Sequence, residues 1–110
     1  MIEVEANISI KRDGTVFLNP AKTALLYEIK RSGSLNAAAK TLNISYQHAW
    51  NLINEMNRTA PEPMVIKQRG GANGGGAEIS QYGQRILNEY QMIGAAIQKT
   101  INQINVEINL

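Results

Sequence analysis

Two helical patterns meet with almost no chain between them, and that junction constrains the fold more than any other feature of the sequence. Ser34 is a good N-cap for a segment running to Leu42, in which Leu35, Ala38, Ala39 and Leu42 share one face. Asn43 tolerates the left-handed conformation that stops a helix abruptly, and Ser45 can cap a second segment reaching Arg58. There Ala49, Trp50, Ile53 and Met56 fall on one side. With about three residues between them, the two segments must pack at a steep angle, Ala39 standing where they nearly touch and Leu42, Ile44, Ala49 and Ile53 locking the geometry. This is a helix-turn-helix arrangement.

The flanking sequence fits around it. From Glu5 to Leu18 apolar residues alternate on both sides of Asp13-Gly14, which predicts a β-hairpin closed at a position where glycine tolerates positive φ. Asn19-Pro20 starts a helix that carries Leu25, Leu26 and Ile29 on one face and stops at Ser32-Gly33. Pro61 and Pro63 forbid continuation of the third helix. Met64–Arg69 and Ala77–Ser80 are predicted strands around Gly70–Gly76, where five glycines in seven residues exclude a stable helix. Ser80 caps a last, long helix in which Ile86, Tyr90, Ile93, Ile97, Ile101, Ile104 and Ile108 recur at intervals of four, three, four, four, three and four. The prediction is therefore one mainly α domain over residues 1–110, with an N-terminal hairpin (1–19), a helix-turn-helix and wing (20–80) and a long terminal helix (81–110).

Charge and composition narrow the function. Residues 20–85 hold eight Lys and Arg against four Glu, a net +4, while each flank is net −1. The two glutamates near the start do not resemble a signal peptide and no apolar run is long enough to cross a bilayer, so a cytoplasmic protein without membrane attachment is expected. With no cysteine and one histidine, His48, no metal ligand set and no thiol chemistry are visible. Gly70–Gly75 has the spacing to open a phosphate loop, but Gly76 and Ala77 stand where Lys and Ser or Thr are required, and Ile79 breaks a dinucleotide fingerprint starting at Gly74. No catalytic constellation emerges, and neither enzymatic activity nor a cofactor is expected.

What remains is a polar helix face. Tyr46, Gln47, His48, Asn51 and Asn54 lie opposite the apolar side of the third helix, and such side chains exchange hydrogen bonds with base edges or phosphates in a major groove. The hairpin behind it, with Lys67 and Arg69 on its stem and a glycine tip, then reads as a wing facing phosphate or minor groove. Each feature has a plain counterpart: a solvated helical corner, and a hairpin tip without function. Trp50 keeps register with Ala49, Ile53 and Met56, which places it in the core; Tyr46 is the better aromatic for DNA contact. The isoleucine stripe exceeds what so small a domain can cover and calls for a second chain, although Ile86–Ile97 could also fold back over its own core.

Ser32-Gly33-Ser34, Ile44-Ser45-Tyr46 with Ala49-Trp50, Ile53-Asn54-Glu55-Met56-Asn57, the glycine-rich wing and Tyr82-Gly83-Gln84-Arg85 together resemble the N-terminal DNA-binding domain of ModE-type molybdate-responsive regulators, and more distantly LysR-type regulators. The resemblance covers about residues 20–100. It implies a winged helix-turn-helix that dimerises through long helices and binds a palindromic operator, with base-reading positions at Ser45, Tyr46, Gln47, His48 and Asn51 and a wing around Arg69–Gly74. Candidate DNA contacts are thus Ser34, Ser45, Tyr46, Gln47, His48, Asn51, Lys67, Arg69, Asn73 and Gly74. Candidate dimer contacts are Ile93, Ile97, Ile101, Ile104 and Ile108. Full-length members carry a C-terminal oxyanion-binding module, and this sequence stops at Leu110, so double-stranded DNA and a second copy are the expected partners and no molybdate site is expected in this chain. The rival expectation is a protein interaction module that keeps the fold without reading DNA.

Overall fold

The computed structural model describes residues 2–68, 76–104 and 108. In chain order it contains β1 (Ile10–Arg12), β2 (Thr15–Leu18), α1 (Pro20–Ser32), α2 (Leu35–Thr41), α3 (Tyr46–Thr59), β3 (Val65–Lys67), β4 (Ala77–Ile79) and α4 (Gln81–Gln103). It is mostly helical, with small antiparallel hairpins and a long C-terminal helix, a layout compatible with a winged helix.

The junctions follow local chemistry. Asp13 and Gly14 both take positive φ, 50° and 80°, the pair required by the tight turn whose twist matches β1 and β2. The Asn19 side chain caps α1 by accepting from the Lys22 N–H, and Gly33 ends that helix at φ 68°, its N–H bonded to the Ile29 carbonyl. Asn43 is left-handed at φ 57°, which lets the Ile44 N–H return to the Ala39 carbonyl at 3.0 Å and turns the chain sharply into α3. Leu25, Leu26 and Ile29 of α1, Leu35, Ala38 and Ala39 of α2 and Ala49, Ile53 and Met56 of α3 close one core with Leu18, Met64 and Leu87. Ala39 is 2% exposed, so the contact point between the short helices is filled by a methyl group.

The wing is fastened at both ends. Asn57 accepts the Met64 and Val65 N–H groups on Oδ1 at 2.7 and 3.2 Å and donates from Nδ2 to the Val65 carbonyl at 3.0 Å. On the other strand Ser34 and Gly76 form a β-bridge, and the Ala77 N–H reaches the Gly33 carbonyl, tying β4 to the α1–α2 joint. Gly83 sits where α4 begins; a Cβ there would lie 2.3 Å from the Met64 carbonyl oxygen, so only glycine lets the helix approach the wing.

Three expectations change. The strand expected from Glu5 begins only at Ile10, because the preceding segment lies along α4, where Tyr90 donates to the Ile8 carbonyl and Gln98 to the Val4 carbonyl. The helix expected to carry Ile108 ends at Gln103, with Ile104 as an extended cap; Asn102, Asn105, Val106 and Asn109 are weak helix formers and favour such a stop. Trp50, placed in the core by register, is only half-buried at its edge.

Candidate nucleic-acid interface

The first two turns of α3 present the polar face. Ser45 caps the helix through a 3.0 Å bond from the His48 N–H, so its hydroxyl is already engaged in holding that terminus. Tyr46, Gln47, His48 and Asn51 are exposed, with Tyr46 at 40%. Gln47 Nε2 donates to Asn51 Oδ1 at 3.0 Å, which orders the two amides one turn apart and leaves the Gln47 carbonyl oxygen and the Asn51 amide N–H groups without a partner among the described residues. An acceptor and a donor side by side is the pattern that base edges in a major groove complement.

Around this face the other candidates separate. Lys67 is brought to α3: its Nζ lies 4.4 Å from the centroid of the Trp50 ring, and the Tyr46 ring stands nearly perpendicular to Trp50 at 6.3 Å. Ser34 lies at the base of the wing, half-buried, its hydroxyl capping α2 through the Ala37 N–H and its backbone paired with Gly76. Arg69, Asn73 and Gly74 lie outside the described residues. On α4, Ile93 and Ile97 are exposed along with Met92, which is 71% accessible, and so are Ile104 at the helix cap and Ile108 beyond it. Ile101 is half-buried beside the N-terminal segment.

Sequence reasoning missed Lys22. It sits 4% exposed beneath α3, with Nζ 2.8 Å from the Val16 carbonyl and 3.2 Å from Glu55, so its charge is absorbed internally and adds nothing to a basic surface. The signal was present, since Lys22 precedes Leu25, Leu26 and Ile29 by three, four and seven residues and therefore shares their buried face. Among the described residues no group of three His, Cys, Asp or Glu could hold a metal, and no helix is long and apolar enough to cross a membrane.

No family model matches the chain. It is 36% identical over 104 residues to the molybdenum transport protein ModE of Azotobacter vinelandii, covering 94% of this chain and 38% of that protein. Over 104 residues it is 35% identical to the DNA-binding transcriptional dual regulator ModE of Escherichia coli K12, covering 94% and 40%. The chain is a homologue of the ModE regulators. The match is consistent with the N-terminal domain of ModE-type proteins that the residues resemble. A molybdenum-pterin-binding protein, MopB of Rhodobacter capsulatus, is also related, at 35% identity over 89 residues, 81% of this chain and 33% of that protein. The chain thus spans 40% or less of the length of these ModE and MopB relatives.

Proposed function

We propose that the chain is the DNA-binding domain of a transcriptional regulator, with the start of α3 in the major groove and the wing stem against phosphate. The observation that carries this reading is the exposed Gln47–Asn51 amide pair on a helix whose other side is buried in the core. The names of the ModE relatives support it, since one is called a DNA-binding transcriptional dual regulator.

Retention of genomic DNA fragments at low and moderate salt tests the reading. Binding is expected at low salt and should weaken as salt rises, because neutralised phosphates release counterions. Gln47→Ala and Asn51→Ala should each cost about 1 to 3 kcal/mol of specific affinity. Unchanged affinity would favour the protein interaction module instead.

The same proposal includes a homodimer built on the second half of α4, whose Met92, Ile93 and Ile97 are exposed and have no cover among the described residues. Two recognition helices would then meet half-sites about 34–36 Å apart, or a multiple of that. Ile93→Asp with Ile97→Asp should yield monomers in sedimentation equilibrium; a dimer that survives the double change would remove α4 from the interface.

A further inference from the structure

Two lysines of this chain are held in different ways, and one of them bears on DNA. Lys22 is buried against a carboxylate, whereas Lys67, exposed at the end of β3, rests over an aromatic face. Among the described residues the ion pairs are Lys22–Glu55 and Arg31–Glu28, and Lys67 is in neither. Glu78, the carboxylate on the facing strand, accepts from Gln68 instead. An aromatic face attracts an ammonium through its quadrupole without neutralising it. The Lys67 charge is therefore restrained in place yet still free to meet an anion on its open side.

Trp50 is built for that restraint. It lies one turn beyond Tyr46, whose ring braces it nearly at right angles, and its inner edge packs against the core, so the ring is fixed from two directions. The wing strand that carries Lys67 is itself tied to α3 through Asn57. Helix, ring and ammonium consequently form one unit, with the Lys67 amine from β3 held against the same helix that bears Gln47 and Asn51.

We propose that Trp50 is a positioning residue that holds the charged Lys67 amine beside α3 for contact with a backbone phosphate. This rests on the DNA reading above. Ordering a long lysine side chain before contact removes an entropic cost that would otherwise fall on binding. Trp50 then acts only through Lys67 and not by stacking on a base.

Phosphate contacts are independent of sequence, so a random-sequence duplex of about 30 base pairs is a sufficient probe. With Lys67 present, Trp50→Leu should weaken binding at fixed low salt by about fivefold; in a Lys67→Met background the same change should alter it by less than about twofold. Lys67→Met alone should lower the slope of log affinity against log salt by about 0.9. In the free protein, the Lys67 ε-methylene protons should show an upfield ring-current shift that disappears in Trp50→Leu. Trp50→Phe keeps a ring face and serves where the leucine variant does not fold: it should retain part of the shift and most of the affinity. Equal losses in both Lys67 backgrounds, an absent ring-current shift in the wild type, or a Trp50→Phe variant without either property would overturn the proposal while leaving the DNA reading intact. A wild-type protein with no salt-sensitive DNA binding would sink both.

Discussion

The two ends of α3 are built on opposite terms. Its second half is fastened to three separate elements: Glu55 to Lys22 of α1, Asn57 to the start of β3, and the Thr59 carbonyl to Arg12 of the first hairpin at 2.8 Å. Ile53 and Met56 beneath it are at most 1% exposed. Its first half keeps Ala49 in the core but bears exposed polar side chains whose hydrogen bonds stay within the helix and its cap. A helix is stiff, so holding it by the far end orients the near end without using up the near end's hydrogen-bonding capacity. Polar groups free of other duties on a rigid element are what a recognition surface needs.

Substitutions at the fastened end should therefore cost stability most. Asn57→Ala strips partners from the Met64 N–H, the Val65 N–H and the Val65 carbonyl, all partly buried, and should destabilise the fold by about 3 kcal/mol in urea titration. Lys22→Met keeps the buried stem but removes the amine. The Val16 carbonyl then loses its donor while Glu55, 47% exposed, turns to water, and a cost of about 1.5 kcal/mol is expected from calorimetry. If neither change exceeds the effect of trimming the exposed end, the asymmetry of α3 is wrong.

Much of this architecture was legible because it is written in local signals. Asp13-Gly14, Asn19-Pro20, Asn43 and Ser45 each act within a few residues, and each produces the turn or cap its chemistry predicts. The apolar register of α1, α2 and α3 likewise locates the core. What was not legible depends on distant pairing. Lys22 looks like one more surface cation until Glu55 and Val16 close over it, and Trp50 belongs to the core stripe by spacing yet ends at the boundary, where Lys67 arrives from another element. Leu87, fully buried, was hidden by the more conspicuous isoleucines, because α4 rotates its Gly83–Leu87 face, not the Ile93–Ile97 face, onto the wing and core. The glycine of Tyr82-Gly83-Gln84-Arg85 could be quoted as part of a motif, but its cause, the Met64 carbonyl against the helix, appears only in three dimensions.

The smallest effect is expected at the exposed end, and it is the sharpest check on the division within α3. Gln47→Ala and Asn51→Ala each remove one exposed hydrogen bond between residues four apart, worth about 0.2–0.5 kcal/mol in a helix. Alanine returns a similar amount through its higher helix propensity, more so when it replaces asparagine. The net change in unfolding free energy should stay within about 0.5 kcal/mol for either variant, with Asn51→Ala on the stabilising side. Measured on the same samples that lose specific DNA affinity, an unchanged urea midpoint would separate recognition from folding at these positions. A midpoint that falls in step with affinity would mean that the first turns of α3 share the structural work of the last, and that the exposed amides are not free for a groove.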